Sequence, residues 1–110
     1  MVIVETSIFT RIIQELLNDE NYAEFQITLS QRLDMGDLIP GSGGLRKVRW
    51  RISSKCKRGG LRVIYYWLTQ DAHILMLYAY TKSRQKDLSK SQLVALREIA
   101  ERWKDGKKNV

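Results

Sequence analysis

The sequence predicts an α+β domain: two N-terminal helices packed on a small antiparallel β-sheet, with a C-terminal helix. Three observations carry this. Residues 7–33 place apolar side chains at helical spacing, in two successive stripes. Residues 45–81 switch to period two and to β-branched and aromatic residues. Residues 88–103 return to helical spacing behind a capping signature. Helices and strands segregated in this way belong to α+β architectures rather than to alternating α/β ones.

The first four residues after Met1, "VIVE" (2–5), alternate and read as a short strand. In "TSIFTRIIQELL", Phe9, Ile12, Ile13, Leu16 and Leu17 form one stripe, and Thr6 or Ser7 can cap its start. A second helix begins at Asn18 or Asp19 and presents Tyr22, Phe25, Leu29 and Leu33, with Gly36 as its expected stop. "GDLIPGSGG" (36–44) holds the only proline and four of the seven glycines, so it is expected to be a flexible connector. A phosphate-binding glycine loop needs a helix N-terminus behind it. A strand follows here, which argues against that reading.

"LRKVRWRI" (45–52) puts Val48, Trp50 and Ile52 on one face and Lys47, Arg49 and Arg51 on the other. "SSKCKRGG" (53–60) is a basic loop. "LRVIYYWLT" (61–69) and "HILMLYAYT" (73–81) flank the turn "QDA" and pair as a hairpin. Both faces of these two strands are apolar, as in central strands covered on both sides. With Leu61, Val63, Tyr65 and Trp67 toward the N-terminal helices, Arg62, Ile64 and Tyr66 share the face of Lys47, Arg49 and Arg51. Tyr78, Tyr80 and Lys82 share one parity on the last strand. Tyr66 and Tyr78 are expected beneath the C-terminal helix. That helix has a capping box in Ser89 and Gln92, a staple in Leu88 and Leu93, and a stripe of Leu93, Leu96, Ala100 and Trp103. The tail "KDGKKNV" is expected to fray.

The 110 residues suffice for one domain, 1–110. A hydrophobic fraction of 44% argues against disorder, and no apolar run reaches membrane-spanning length. The start carries Glu5 and no small-residue cleavage site, so no signal peptide is expected. Cys56 is the single cysteine, which fits a reducing, cytoplasmic setting and leaves no multi-cysteine zinc site.

The net charge of +7 is concentrated. Residues 38–70 carry eight cations and no acid, whereas the rest of the chain has 11 cations and 12 acids. Clustered positive charge points to a polyanion, nucleic acid above all. Cations interleaved with tyrosines suit single-stranded RNA, with charge for phosphates and rings for unstacked bases. The usual hydrolytic constellations are missing. His73 is alone at a strand start and reads as an edge residue, and Cys56 has no partner base. RNA brings its own nucleophile, however. A 2′-OH held in line can attack the adjacent phosphate while Lys and Arg orient the strand and hold the added charge. Among other cations a desolvated lysine can also serve as a base.

The segments "GSGGLRKVRW…KCKRGGLRVIYYW" and "LMLYAYTKSRQKDLSKSQLVALREIAERW" resemble the HigB branch of the RelE/ParE toxin superfamily over about residues 36–104. "KRGG-x-RVIYY" and "Y-x-K…DL" are the most specific pieces. The resemblance implies a RelE-like fold and a type II toxin that cleaves mRNA in the ribosomal A site; no cofactor is expected, and no metal, because the sequence lacks a credible metal cluster. Its partners would be the ribosome, mRNA and a helix-turn-helix antitoxin. Carried over residue by residue, the catalytic set is Arg49, Arg51, Arg62, Lys82 and Arg84. Lys47, Lys55, Lys57, Arg58 and Tyr80 would bind RNA. Relatives often supply a C-terminal tyrosine; "SRQKDLSKSQ" has none, and Tyr80 is the candidate to stand in. Two other functions fit parts of the pattern: a ParE-like toxin that acts on gyrase, and an RNA-binding module without chemistry.

Overall fold

The computed structural model describes residues 2–51, 60–68 and 72–108. In chain order the elements are β1 (Val2–Glu5), α1 (Ser7–Leu16), α2 (Asp19–Gln31), β2 (Asp37–Leu38), β3 (Leu45–Trp50), β4 (Leu61–Leu68), β5 (His73–Thr81) and α3 (Lys90–Lys108). They form one five-stranded sheet in the order β1-β5-β4-β3-β2.

The sheet is mixed rather than wholly antiparallel. β1 runs parallel to β5, with Val2 opposite His73 and Glu5 opposite Met76, and the other pairs are antiparallel. Parallel pairing needs a long crossover. Here the crossover comprises both N-terminal helices and three intervening strands.

Both N-caps fall at expected residues. The Thr6 hydroxyl accepts from Phe9 N–H at 3.1 Å, and the Asn18 side chain accepts from Asn21 N–H at 2.7 Å. α1 and α2 bury Phe9, Ile13, Phe25 and Leu29 against Val48, Leu61, Val63 and Tyr65 of the sheet. Glu5 anchors this layer through its carboxylate, which accepts from the hydroxyls of Thr10 and Tyr22.

Gly36 has a different task from the one its composition suggests. α2 ends at Gln31, well before it. The Gly36 N–H donates to the Tyr65 hydroxyl at 2.9 Å, and that hydroxyl donates to Leu33 C=O at 2.8 Å. A Cβ at Gly36 would lie 2.8 Å from the Tyr65 ring. The glycine is a close-approach residue, and the turn after α2 is closed by a tyrosine 29 residues away.

The following segment is also more ordered than a flexible connector. Asp37 and Leu38 add a two-residue edge strand on β3. The Ser42 side chain is buried; its hydroxyl donates to Ile39 C=O at 2.6 Å and accepts from Leu45 N–H at 3.0 Å. Gly41, Gly43 and Gly44 take positive φ around it.

On the opposite face α3 covers Leu45, Ile64, Tyr66, Leu75 and Leu77 with Leu96 and Ala100. Its capping box is made as expected: Gln92 N–H donates to Ser89 Oγ at 3.1 Å, and Ser89 N–H to Gln92 Oε1 at 3.0 Å. The helix continues to Lys108 instead of fraying at Lys104. Tyr66 meets Trp103 edge-on at 6.1 Å, beneath the helix as expected.

A bulge interrupts β4 and β5 between Ile64 and Tyr65. It puts Leu77 and Tyr78 in the α3 layer together, so simple alternation fails there. The bulge resets the face of the last residues of β5 and so places Tyr80 in the same layer.

Candidate nucleic-acid interface

α3 covers only part of its face of the sheet. Beyond it, three strands bring one residue each into a row: Arg49 of β3 pairs with Arg62 of β4, and Arg62 pairs with Tyr80 of β5. The next row back is Lys47, Ile64 and Tyr78. The register comes from period two on β3 and β4, because Val48, Trp50, Leu61 and Val63 must point into the α1/α2 core. The neighbouring cation Arg46 consequently goes to the other side. It donates to Gly36 C=O at 2.8 Å and stands 5.8 Å over the Trp67 ring, so it is structural.

Arg62 is half-buried and held. Its Nη1 donates to Gly60 C=O at 2.7 Å. The same carbonyl accepts from Lys82 N–H at 3.2 Å, which ties the start of β4 to the end of β5. A Cβ at Gly60 would lie 2.8 Å from Arg62 Nη1, so a side chain there would push the end of the guanidinium aside. Arg49 is exposed beside it.

Tyr80 lies lower than expected. Only 5% of it is exposed, so its ring is in the floor and offers no stacking face to a base. Its hydroxyl is buried and has no hydrogen-bond partner among the described residues. Burial raises its pKa; Asp87 pushes the same way, and Arg62 and Arg49 oppose. Tyr80 is therefore a neutral phenol within the electrostatic reach of both arginines.

Lys47 pairs with Asp87 at 3.5 Å across a cleft of about 310 Å³ beside the row. Asp87 also accepts from Leu88 N–H at 2.8 Å, and its carboxyl sits below the ordinary carboxylate range, first because of that bond and then because of Lys47 and Arg49. The turn carrying Asp87 is knitted to the sheet by side-chain amides. Gln85 Nε2 donates to Asp87 C=O at 2.8 Å and to Gln92 Oε1, and the Tyr78 hydroxyl touches both glutamines at 3.4 Å. Asp87 was not among the expected site residues. Its signal in the sequence is that it is the only acid between Asp71 and Glu98, inside the basic run "KSRQKDLSK".

The remaining expected residues divide. Lys82 is exposed in the turn after β5, and its backbone N–H shares the Gly60 carbonyl with the Arg62 guanidinium. Arg84 is exposed in the same turn, and its side chain makes no hydrogen bond or ion pair among the described residues. Arg51 is exposed one residue past β3. Lys55, Lys57 and Arg58, like Cys56, lie outside the described residues. His73 sits at the other end of β5 from Tyr80, half-buried. Among the described residues no three of His, Cys, Asp and Glu come together. No described helix is long and apolar enough to cross a membrane.

A family model described as the RelE toxin of the RelE/RelB toxin–antitoxin system matches residues 1–109. The chain belongs to the RelE toxin family. Its fold is similar to that of the E. coli toxin RelE, solved in the free state as a double arginine-to-alanine mutant, with a TM-score of 0.60. The likeness covers 86% of this chain and 94% of the RelE chain at 12% identity, and at that identity it is a likeness of fold. Membership in the RelE family carries an expectation of an antitoxin partner.

Proposed function

We propose that this RelE-family chain is a HigB-type toxin that cleaves mRNA on the ribosome, in the cytoplasm, and is held inactive by its antitoxin. The observation that carries the reading is the row Arg49–Arg62–Tyr80 on the α3 side of the sheet, in which Arg49 is exposed, Arg62 is half-buried and Tyr80 forms the buried floor. Arg49 and Arg62 are cross-strand neighbours there, and the backbone N–H of a third cationic residue, Lys82, shares the Gly60 carbonyl with Arg62.

The chemistry follows from that arrangement. The ribose 2′-OH attacks the adjacent phosphorus, the P–O5′ bond breaks, and a 2′,3′-cyclic phosphate and a 5′-OH remain. Negative charge grows on the non-bridging oxygens during attack. Arg62, pre-positioned by Gly60, and Arg49 meet that charge with fork-shaped donors. The neutral Tyr80 hydroxyl, lacking a protein partner, is available as a further donor if the floor opens to a bound phosphate. The ribosome supplies the other requirement, an extended mRNA strand held in a fixed conformation. Lys55, Lys57 and Arg58 serve in this reading as phosphate grips, with Arg51 and Arg84 at the margin.

The test uses ribosomes programmed with a defined mRNA. Purified toxin should leave 2′,3′-cyclic or 3′-phosphate ends, and chelators that spare the ribosome should not stop it. Products with 5′-phosphate ends would overturn the mechanism. Intact mRNA together with poisoned gyrase would replace the reading with a ParE-like one.

A further inference from the structure

The cleft beside the row is built from three kinds of surface. Lys47 and Arg49 supply cations on one wall. Ile39, Leu88 and Leu93 supply apolar walls, and all three also pack on the α3 core cluster, so they are fixed in place. Asp37 and Asp87 supply carboxylates. Arg49 belongs both to the cleft and to the proposed catalytic row. At about 310 Å³ the cleft is at the small end of ligand pockets, which run from roughly 300 to 1,000 Å³.

Two acids at the rim of an RNA surface run against phosphate binding, and these two come from separate segments. Asp37 is on the edge strand β2, directly opposite Lys47 in register. Asp87 comes from the turn before α3; its carboxylate accepts from Leu88 N–H, and its backbone C=O accepts from Gln85 Nε2, which also donates to Gln92 Oε1. An ionised carboxylate only accepts hydrogen bonds. It therefore selects for a ligand edge made of N–H donors.

A nucleotide has the matching parts: a phosphate for Arg49 and for Lys47, which would share its 3.5 Å ion pair with the exposed Asp87, flat apolar faces for the walls, and a polar edge for the carboxylates. We propose that this cleft is a nucleobase subsite, resting on the RNA-cleaving reading, and that Asp37 and Asp87 select a base carrying an exocyclic amino group next to the scissile phosphate. Cytosine, adenine and guanine offer amino donors, whereas uracil presents carbonyl oxygens at those positions, which the carboxylates repel. Carboxylate acceptance from the cytosine amino group is an established pairing, and a good bidentate base pair discriminates by about 1–3 kcal/mol, or roughly 5- to 150-fold, so a single carboxylate–amino contact belongs at the lower end of that range. A protein partner is the competing occupant. Continuity of the cleft with the cation row favours RNA.

The decisive comparison is cytidine against uridine, which differ at this edge by an amino group and a carbonyl. Binding of cytidine and uridine dodecamers to the purified chain needs no chemistry and isolates the subsite from the cleavage reading. Wild type should bind the cytidine strand about tenfold more tightly, and Asp37→Asn, whose amide both donates and accepts, should bring the two within about threefold. Asp87→Asn should move the ratio in the same direction, with thermal unfolding confirming that each variant is folded. On programmed ribosomes, uridine-flanked sites should gain relative to cytidine-flanked ones in Asp37→Asn. Equal binding of the two strands by wild type overturns the subsite, even when cleavage occurs. An unchanged ratio in both folded variants overturns it as well, and so does a loss of antitoxin neutralisation with the ratio intact, which would make the cleft a protein-docking site. Base-selective binding without cleavage would keep the subsite and remove the endonuclease reading.

Discussion

The two faces of this sheet are finished to different standards. On the α1/α2 face Tyr65 is fully buried, and its hydroxyl both accepts from Gly36 and donates to Leu33. On the α3 face Tyr80 is nearly as deep, yet its hydroxyl has no partner among the described residues. The closed face has an exception of its own, the buried Nε1 of Trp67. The difference between the tyrosines is still instructive. A buried polar group without a partner costs about 1–3 kcal/mol, and such groups collect where a fold gives up stability for function. The unpaired hydroxyl lies at the end of the row that holds Arg49 and Arg62.

Arg62→Ala should produce the largest effect. It removes one of two charges that meet the phosphate and leaves both cores alone. Single-turnover cleavage should fall about 10²- to 10³-fold, the usual cost of one pre-positioned electrostatic donor. Growth inhibition should disappear while the melting temperature changes little, since only the bond to Gly60 is lost. A folded variant that remains fully toxic would take the site away from this row.

The tyrosines test the comparison directly. Tyr65→Phe should strand Gly36 N–H and Leu33 C=O and cost on the order of 3 kcal/mol in denaturant unfolding. Toxicity should track the fraction folded. Tyr80→Phe removes a hydroxyl that has nothing to lose, so stability should hold or rise by up to about 1 kcal/mol. If that hydroxyl meets the phosphate, cleavage should fall in the same variant. A destabilised Tyr80→Phe would show that the hydroxyl is satisfied in solution and that the two faces are equivalent.

Much of this division was legible in the sequence because it is local. Caps at Thr6, Asn18 and Ser89 depend on residues three positions away. Strand parity put Lys47 and Arg49 on the face opposite Val48 and Trp50 without any tertiary knowledge. What stayed hidden was set by distant contacts. Gly36 looks like a helix stop until Tyr65 arrives against it. The β4–β5 bulge breaks an apolar run whose residues are interchangeable by hydropathy, so period two cannot reveal it. β2 is two residues long and exists only because β3 offers an edge. Asp87 gained a role by meeting Lys47, forty residues earlier in the chain. Tyr80 was placed on the right face, but its depth, and hence its change from stacking platform to buried phenol, depended on how its neighbours packed.

The smallest effect should come from Asp87→Asn, read as stability. The carboxylate is mostly exposed, with 70% of its side chain open, and exposed pairs contribute about 0–1 kcal/mol. Its pKa is lowered in the folded chain, first by the Leu88 N–H and then by Lys47 and Arg49. A lowered carboxylate pKa means that the unfolded chain takes up the proton first as pH falls. The contribution is therefore complete above the ordinary aspartate value near 3.9 and is lost as pH drops through the lower folded value. Wild type should melt no more than a few degrees above Asp87→Asn at pH 7, and the gap should close at the acid end, where the protonated acid and the amide are both neutral. Salt at 0.5 M should shrink the Lys47 part of the gap and spare the Leu88 part, because screening acts on the charge pair more than on the short bond to a backbone N–H. A gap that widens toward low pH would mean that the carboxylate is held in its neutral form, and would reverse the electrostatic order assigned to this side of the sheet.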